Sequence, residues 1–332
     1  MVLCEFSDNK PGILNLFPMT RWQIFIVLIK VVVLLYLLHY LYQHFFANQS
    51  FILAVKYHLQ QYIALQQWLY VIAALVLLPV NWLLETYKWY VLQFTTTNHG
   101  FYQSWKNVMK GVAYSLFIPQ QLGDMAGKFD RTTATQKLGI GVLSLYGGFV
   151  QSFMAFAGGM VGVIYLFKPA LYMCLFMVIV LVLMVLCLYF MVEIIHWVKK
   201  ILPYQFLHAV SFSISKKQIL LINAIALLRY AVFVVQFSLI LQFFSVSINK
   251  WVEISAIMLT YFGKTFIPAL NILSDVGTRE FAALWSFSFT SVSPSIVFIA
   301  SMLIWCINIL IPMLLGAYYL IESMVFSKRK AT

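Results

Sequence analysis

The sequence predicts an all-α polytopic membrane protein with six full spans, two re-entrant broken segments and an inverted-topology repeat. Three observations carry this. Of 332 residues, 63% are hydrophobic and only 10% charged, whereas a soluble domain is about a quarter charged. Apolar runs longer than the roughly 20 residues needed to cross a bilayer recur along the chain. Two further apolar stretches are interrupted by proline, glycine and charge at matching places in the two halves. This composition excludes a soluble enzyme, a disordered chain and a fibrous one.

Residues 1–21 read as a polar cytoplasmic N-terminal tail. One transmembrane domain then covers 22–321, with spans at 22–46, 68–92, 138–167, 170–198, 217–246 and 293–321. Residues 322–332 form a basic cytoplasmic tail. The first apolar run is too long for the core of a cleavable signal peptide, so none is expected. Residues 106–122 and 251–291 are apolar but broken, by Pro119 and Pro268, each followed by glycine, aspartate and basic residues. As full spans they would present charge and irregular backbone to lipid. As re-entrant segments lining a cavity they are allowed.

The net charge of +12 fits a cytoplasmic excess of Lys and Arg better than a nucleic-acid surface. Lys10, Arg21, Lys106, Lys110, Lys128, Arg131, Lys137, Lys199, Lys200, Lys216, Lys217, Lys328, Arg329 and Lys330 fall on one set of connections. The opposite connections, 47–67, 168–169 and 247–250, hold one lysine each. Six spans with both termini cytoplasmic satisfy this asymmetry, in the cell membrane. The first broken segment then enters from the cytoplasm. The second enters from outside, with 272–280 accessible there.

The halves 22–167 and 170–321 align at an offset of about 150 residues. Phe117-Ile118-Pro119 recurs as Phe266-Ile267-Pro268. Each half has three spans, an odd number, so the halves must be oppositely oriented. Paired interrupted segments in such repeats point to a substrate site near the midplane.

The first broken segment carries Gly123, Asp124, Gly127, Lys128, Asp130 and Arg131. These suit either a polar rim for a phosphorylated or zwitterionic head group, or a solvated loop. The head-group reading is preferred for Asp124 and the loop reading for Asp130 and Arg131. In the second segment, Ser274 and Asp275 are candidate caps for a short helix. Arg279 and Glu280 are adjacent and so cannot share a helix face. Arginine is the better bidentate partner for phosphate, and ionisable groups at membrane depth are functional candidates. Lys30, Glu85, Arg229 and Lys264 also interrupt apolar segments, and Lys30 suits a snorkelling role. Asn223, Arg229 and Gln236 form either a polar stripe or simple helix–helix bonds. Gly158 and Gly162 suit a packing face. Cys4, Cys174, Cys187 and Cys306 give no disulfide framework, and the six histidines show no ligand spacing.

Pro119-x-x-x-Gly123-Asp124 and Gly277-x-Arg279-Glu280 resemble motifs of the lysylphosphatidylglycerol synthase transmembrane family, a flippase-like domain. Asp124 replaces the family's glutamate, and Gln121 stands where the family usually has arginine, with Lys128 the nearby cation. The resemblance covers roughly 20–321. It implies that Pro119, Gly123 and Asp124, with Gly277, Arg279 and Glu280, form a lipid-binding site; Lys128, Arg229, Pro268 and Asp275 join them as candidates because they charge or break apolar segments. It also implies translocation of a phospholipid or lipid-linked head group.

The soluble synthase domain of the parent family is not in this sequence, so no lysyl-lipid synthesis, catalytic residue, metal or cofactor is expected. Expected partners are membrane lipids, not nucleic acid, and a homodimer is compatible with this. The alternatives are an ion-coupled transporter of a small solute and a polyprenyl-phosphate-dependent transferase.

Overall fold

The computed structural model describes His39, Tyr42 and residues 49–64, 67–94, 96–97, 99–129, 132, 134–190, 214–266 and 272–331. The expected first span at 22–46, apart from His39 and Tyr42, lies outside them, as do Lys30, Asp130, Arg131, Lys199, Lys200 and Pro268. Among the described residues there is no strand. The helices are α1 (Gln49–Ala64), α2 (Trp68–Gln93), α3 (Phe101–Tyr114), α4 (Gln120–Lys128), α5 (Ala134–Phe167) and α6 (Leu171–Tyr189). They continue with α7 (Lys216–Phe243), α8 (Lys250–Phe266), α9 (Ile272–Phe287), α10 (Pro294–Trp305) and α11 (Ile311–Ala331). A π-helical segment, Cys306–Leu310, joins the last two.

Among the described residues, four stretches are long and apolar enough to cross a membrane: Trp68–Gln93, Gly139–Phe167, Lys216–Phe243 and Pro294–Ser323. The shortest has 26 residues, about 39 Å at 1.5 Å per residue, against a hydrocarbon core of about 30 Å. The apolar part of α6, Leu171–Leu186, is shorter. Thus four of the six expected spans are seen as long apolar helices.

The connection expected at 47–67 is mostly helix instead. Its Phe51, Val55, Leu59 and Tyr62 recur at helical spacing and pack on the core, with Phe51 edge-on to Phe298. Each broken segment is a pair of helices: α3 and α4 back onto each other, and so do α8 and α9. Residues 275 and 277–280, expected to be accessible, are instead buried within α9.

Local sequence explains several helix ends. Ser215 and Gln218 form a reciprocal capping box that starts α7. Pro294 sits in the first turn of α10, where a missing N–H costs nothing. Lys168, in the left-handed region at φ 45°, closes α5 just before Pro169. The π segment has a covalent cause. Pro312 cannot donate to the Asn308 carbonyl four residues back, and Ile311 N–H instead reaches Cys306 O, five residues back.

α2 packs along α7, forming the centre of the bundle. α5 packs on α8, and α11 packs on α3. Gly158, Gly159 and Gly162 make α5 flat where it meets α7 and α8. A Cβ at any of them would strike Tyr230, Phe262 or the Ser255 carbonyl. Trp89, Phe237, Phe244 and Phe287 are the largest fully buried side chains of the core.

Candidate functional site

The first hairpin is built for close approach. α3 stops at Tyr114, and Pro119 starts the turn into α4 with its carbonyl accepting from Gly123 N–H at 2.9 Å. The Ser115 hydroxyl donates to Gly111 O at 2.8 Å and to Gln120 O at 3.1 Å, tying the turn down. A Cβ on Gly123 would collide with Ser115, and one on Gly127 with the backbone of Asn107 and Gly111. These glycines bring two backbones together; no described glycine has a positive φ. Gly127 leads directly to Lys128, whose ammonium meets Asp124 at 2.5 Å. Both groups reach α5, where Ser144 Oγ donates to Asp124 at 2.7 Å and accepts from Lys128 at 3.2 Å. The Lys128 ammonium also lies 4.4 Å from the centroid of the Trp89 ring on α2.

Between the hairpins, α2 and α7 present charge to each other. Glu85 meets Lys88 at 2.7 Å and Arg229 at 2.7 Å. Arg229 Nε donates to Asn81 Oδ1 at 2.8 Å, and Asn81 in turn donates to Asn308 in the π segment at 3.0 Å. The guanidinium lies 5.4 Å and 5.1 Å from the ring centroids of Trp82 and Phe233. Lys88 also donates to Gly147 O of α5 at 3.3 Å. Arg229 is near the middle of the 28-residue α7, about 20 Å from either end. Such a charge survives only when paired and shielded from lipid. Lys128 is close enough to interact electrostatically with Glu85, and Arg229 with Lys264.

In the second hairpin, Asp275 binds two cations. Lys264 of α8 meets Oδ1 at 2.9 Å, and Arg279, one turn along α9, meets Oδ2 at 3.0 Å. Arg279 and Glu280 diverge as adjacent helical residues must. Arg279 turns toward Asp275, while Glu280 has Ser301 and Cys306 as neighbours on the next helical run. The Arg279 Nε and both Glu280 oxygens have no hydrogen-bond partner among the described residues.

These positions revise several expectations. Asp275 lies inside the first turn of α9, and its carboxylate is spent on Lys264 and Arg279 rather than on capping. Arg279 and Glu280 are buried helix residues, not loop residues, so removing either disturbs packing as well as recognition. Gly277 is buried within α9. Asp124 with Lys128, Arg229, and Asp275 with Arg279 and Glu280 belong to one chain of charged groups. Pro119 and Gly123 shape its first hairpin. The Asn223–Arg229–Gln236 stripe divides: Gln236 donates to Ala74 O at 2.9 Å and Asn223 to Ile219 O at 2.8 Å. Only Arg229 of the three joins the charges.

Sequence reasoning passed over Lys88, Asn81, Ser144 and Asn308, whose partners lie on other helices. One readable signal was available: Asp-x-x-x-cation occurs at 124–128 and again at 275–279, at one common offset. Among the described residues no group of three or more His, Cys, Asp or Glu could hold a metal ion. No family model, curated protein or solved structure matches the chain.

Proposed function

We propose that this chain is an integral membrane protein that binds an anionic head group within the bilayer and carries the lipid across it. The carrying observation is the chain of charged groups, most of them buried. Lys88, Lys128, Arg229, Lys264 and Arg279 converge on Glu85, Asp124, Asp275 and Glu280. Cations outnumber carboxylates even when every acid is ionised, so the cluster attracts an anion. Moving a phosphate through hydrocarbon unaided is very costly. Fixed cations in a water-poor site replace its hydration, and the arginines present planar forks suited to two phosphate oxygens. The chain moves its cargo rather than converting it.

In this reading the two helix pairs are re-entrant elements entering from opposite faces, and the halves form an inverted repeat. Supporting it are the contacts of α5 with α8 and of α11 with α3, which would be equivalent under such symmetry. The Asp–cation pairs of α4 and α9 support it too. Both termini lie in the cytoplasm, as the lysine and arginine distribution indicates.

Reconstituted vesicles test the reading with fluorescent lipids that bear anionic, zwitterionic or uncharged head groups. The expected result is protein-dependent leaflet exchange, fastest for the anionic lipid. Arg279→Ala should lose it, Arg279→Lys should keep part of it, and Glu280→Gln separates bracing from charge recognition. Exchange no faster than in empty vesicles for every lipid overturns the proposal. A soluble organic phosphate offers the same chemistry. Uptake of a labelled organophosphate with no lipid exchange would reassign the site to a solute.

A further inference from the structure

We infer that Glu280 is a proton-binding site, occupied by a proton in this conformation, whose release is coupled to release of the anionic cargo. The coupling rests on the translocation reading; the proton site does not.

Glu280 is 1% exposed, and neither carboxylate oxygen has a hydrogen-bond partner among the described residues. An ionised carboxylate in that position would lack water and any ion-pair partner among the described residues, with the Ser301 hydroxyl as its polar neighbour, which is a costly state for a side chain. A bound proton removes the charge. The cations of the hairpin cannot do so while Asp275 holds them. Lys264 and one arm of Arg279 are already committed to that carboxylate.

The groups facing Glu280 fit a proton site. On its own helix are Asp275 and Arg279. Among the described helices, α9 packs chiefly on α8 and α10. α8 contributes Lys264 on Asp275 and Tyr261 near Arg279. The α10 side contributes the Ser301 hydroxyl, with Cys306 in the π segment. Ser301 Oγ, beside Glu280, is followed along that helical run by Trp305 Nε1 and Asn308 Nδ2, both buried without a hydrogen-bond partner among the described residues. This line leads from Glu280 toward Asn81 and Arg229. Buried polar atoms left open in succession suit a path for water or a proton.

The coupling follows from charge. With Glu280 neutral, the free Nε of Arg279 attracts an incoming phosphate. When Glu280 gives its proton to water, its carboxylate becomes an internal anion beside Arg279 and competes with that phosphate. Proton and cargo therefore favour each other's binding, and reciprocally so.

The test uses the full chain in liposomes. Infrared titration across about pH 5 to 9 should show a protonated carboxyl band in the unmodified protein that is missing in Glu280→Gln. A pH gradient should speed lipid exchange about tenfold in the unmodified protein and leave Glu280→Gln unaffected. If Glu280→Gln does not fold, Ser301→Ala should shift the band, because that hydroxyl is its neighbour. Absence of the band, or its persistence unchanged in these variants, overturns the proton site. The band without lipid exchange overturns the translocation reading alone. Exchange without the band, at a rate indifferent to pH, overturns the proton site alone.

Discussion

In the α3–α4 hairpin the Asp124 side chain is 34% exposed, while in the α8–α9 hairpin that of Asp275 is 3% exposed. Both aspartates pair with a cation one helical turn later. Asp124 has a serine and an aromatic-backed lysine for company; Asp275 has two cations. The difference decides what each pair can do. A part-exposed carboxylate such as Asp124 can trade its partner for water, while the buried Lys128 keeps Ser144 and the Trp89 ring. A buried one cannot open unless another charge takes the vacated place. The first hairpin is thus the one that solvent can unlock, and the second is the one that a charged cargo can.

The strongest way to break this comparison is to remove both carboxylates in turn. Asp275→Ala strands Lys264 and Arg279 together and should cost about 4 kcal/mol. Asp124→Ala should cost less, about 2 kcal/mol, because Asp124 is part-exposed although its loss leaves the buried Lys128 with only Ser144 and the Trp89 ring. Thermal unfolding in detergent measures both, and equal losses would mean the hairpins do not differ. Next is the charge between them. Arg229→Ala removes a partner from Glu85 but leaves Lys88 there, so about 3 kcal/mol is expected. A double-mutant cycle with Glu85→Gln should show strong coupling, because the two groups are in contact.

A third test concerns how each hairpin closes. Gly127→Ala drives a methyl into the Asn107 and Gly111 backbone and should cost about 2 kcal/mol. At Gly263 the added Cβ would sit 3.2 Å from the Ala282 Cβ, so Gly263→Ala should cost less than about 1 kcal/mol. Reversal of that order would place the tight backbone contact in the wrong hairpin.

The smallest effect is at the rim, where Lys106 meets Glu322 at 2.8 Å. The hydrogen bond to Glu322 raises the Lys106 ammonium above its usual value, against a smaller opposing effect of burial. Its stabilisation is therefore full below the unfolded pKa of about 10.4 and is lost as pH rises through the higher folded value. Glu322→Gln should cost about 0.5 kcal/mol, shrinking in high salt. The stability gap between the two proteins should be full at about pH 8 and narrower at about pH 11.

The long helices were legible because a stretch of over 20 apolar residues has few soluble uses. The breaks were legible because proline cannot continue a helix. Helix α1 was harder to read, since its apolar run at 51–55 is far too short to span a membrane and polar residues interrupt the rest. The charge chain was half legible. Arg229, Glu85 and Lys264 stand out against apolar neighbours, and Asp275–Arg279 has the spacing of an intrahelical pair. What spacing cannot show is that Glu85 faces Arg229 across 144 positions of sequence, or that Asn308 reaches Asn81 across 227. Such pairings are set by how α2, α7 and the last span cross.

The π segment at 306–310 works as an angular offset in the final span. One surplus residue in a turn advances everything after it by roughly 100° of helical phase. Before the offset, the span shows Ser301 to the Glu280 side. After it, Gly316 lies flush against the Met109 carbonyl of α3. A single rod therefore serves the second hairpin with one end and the first with the other. Deleting one residue from 306–310 would leave the apolar span nearly the same length, with Pro312 still in it. It would also rotate Gly316 off α3, so the two hairpins would lose their common shaft while composition and hydropathy stayed almost unchanged.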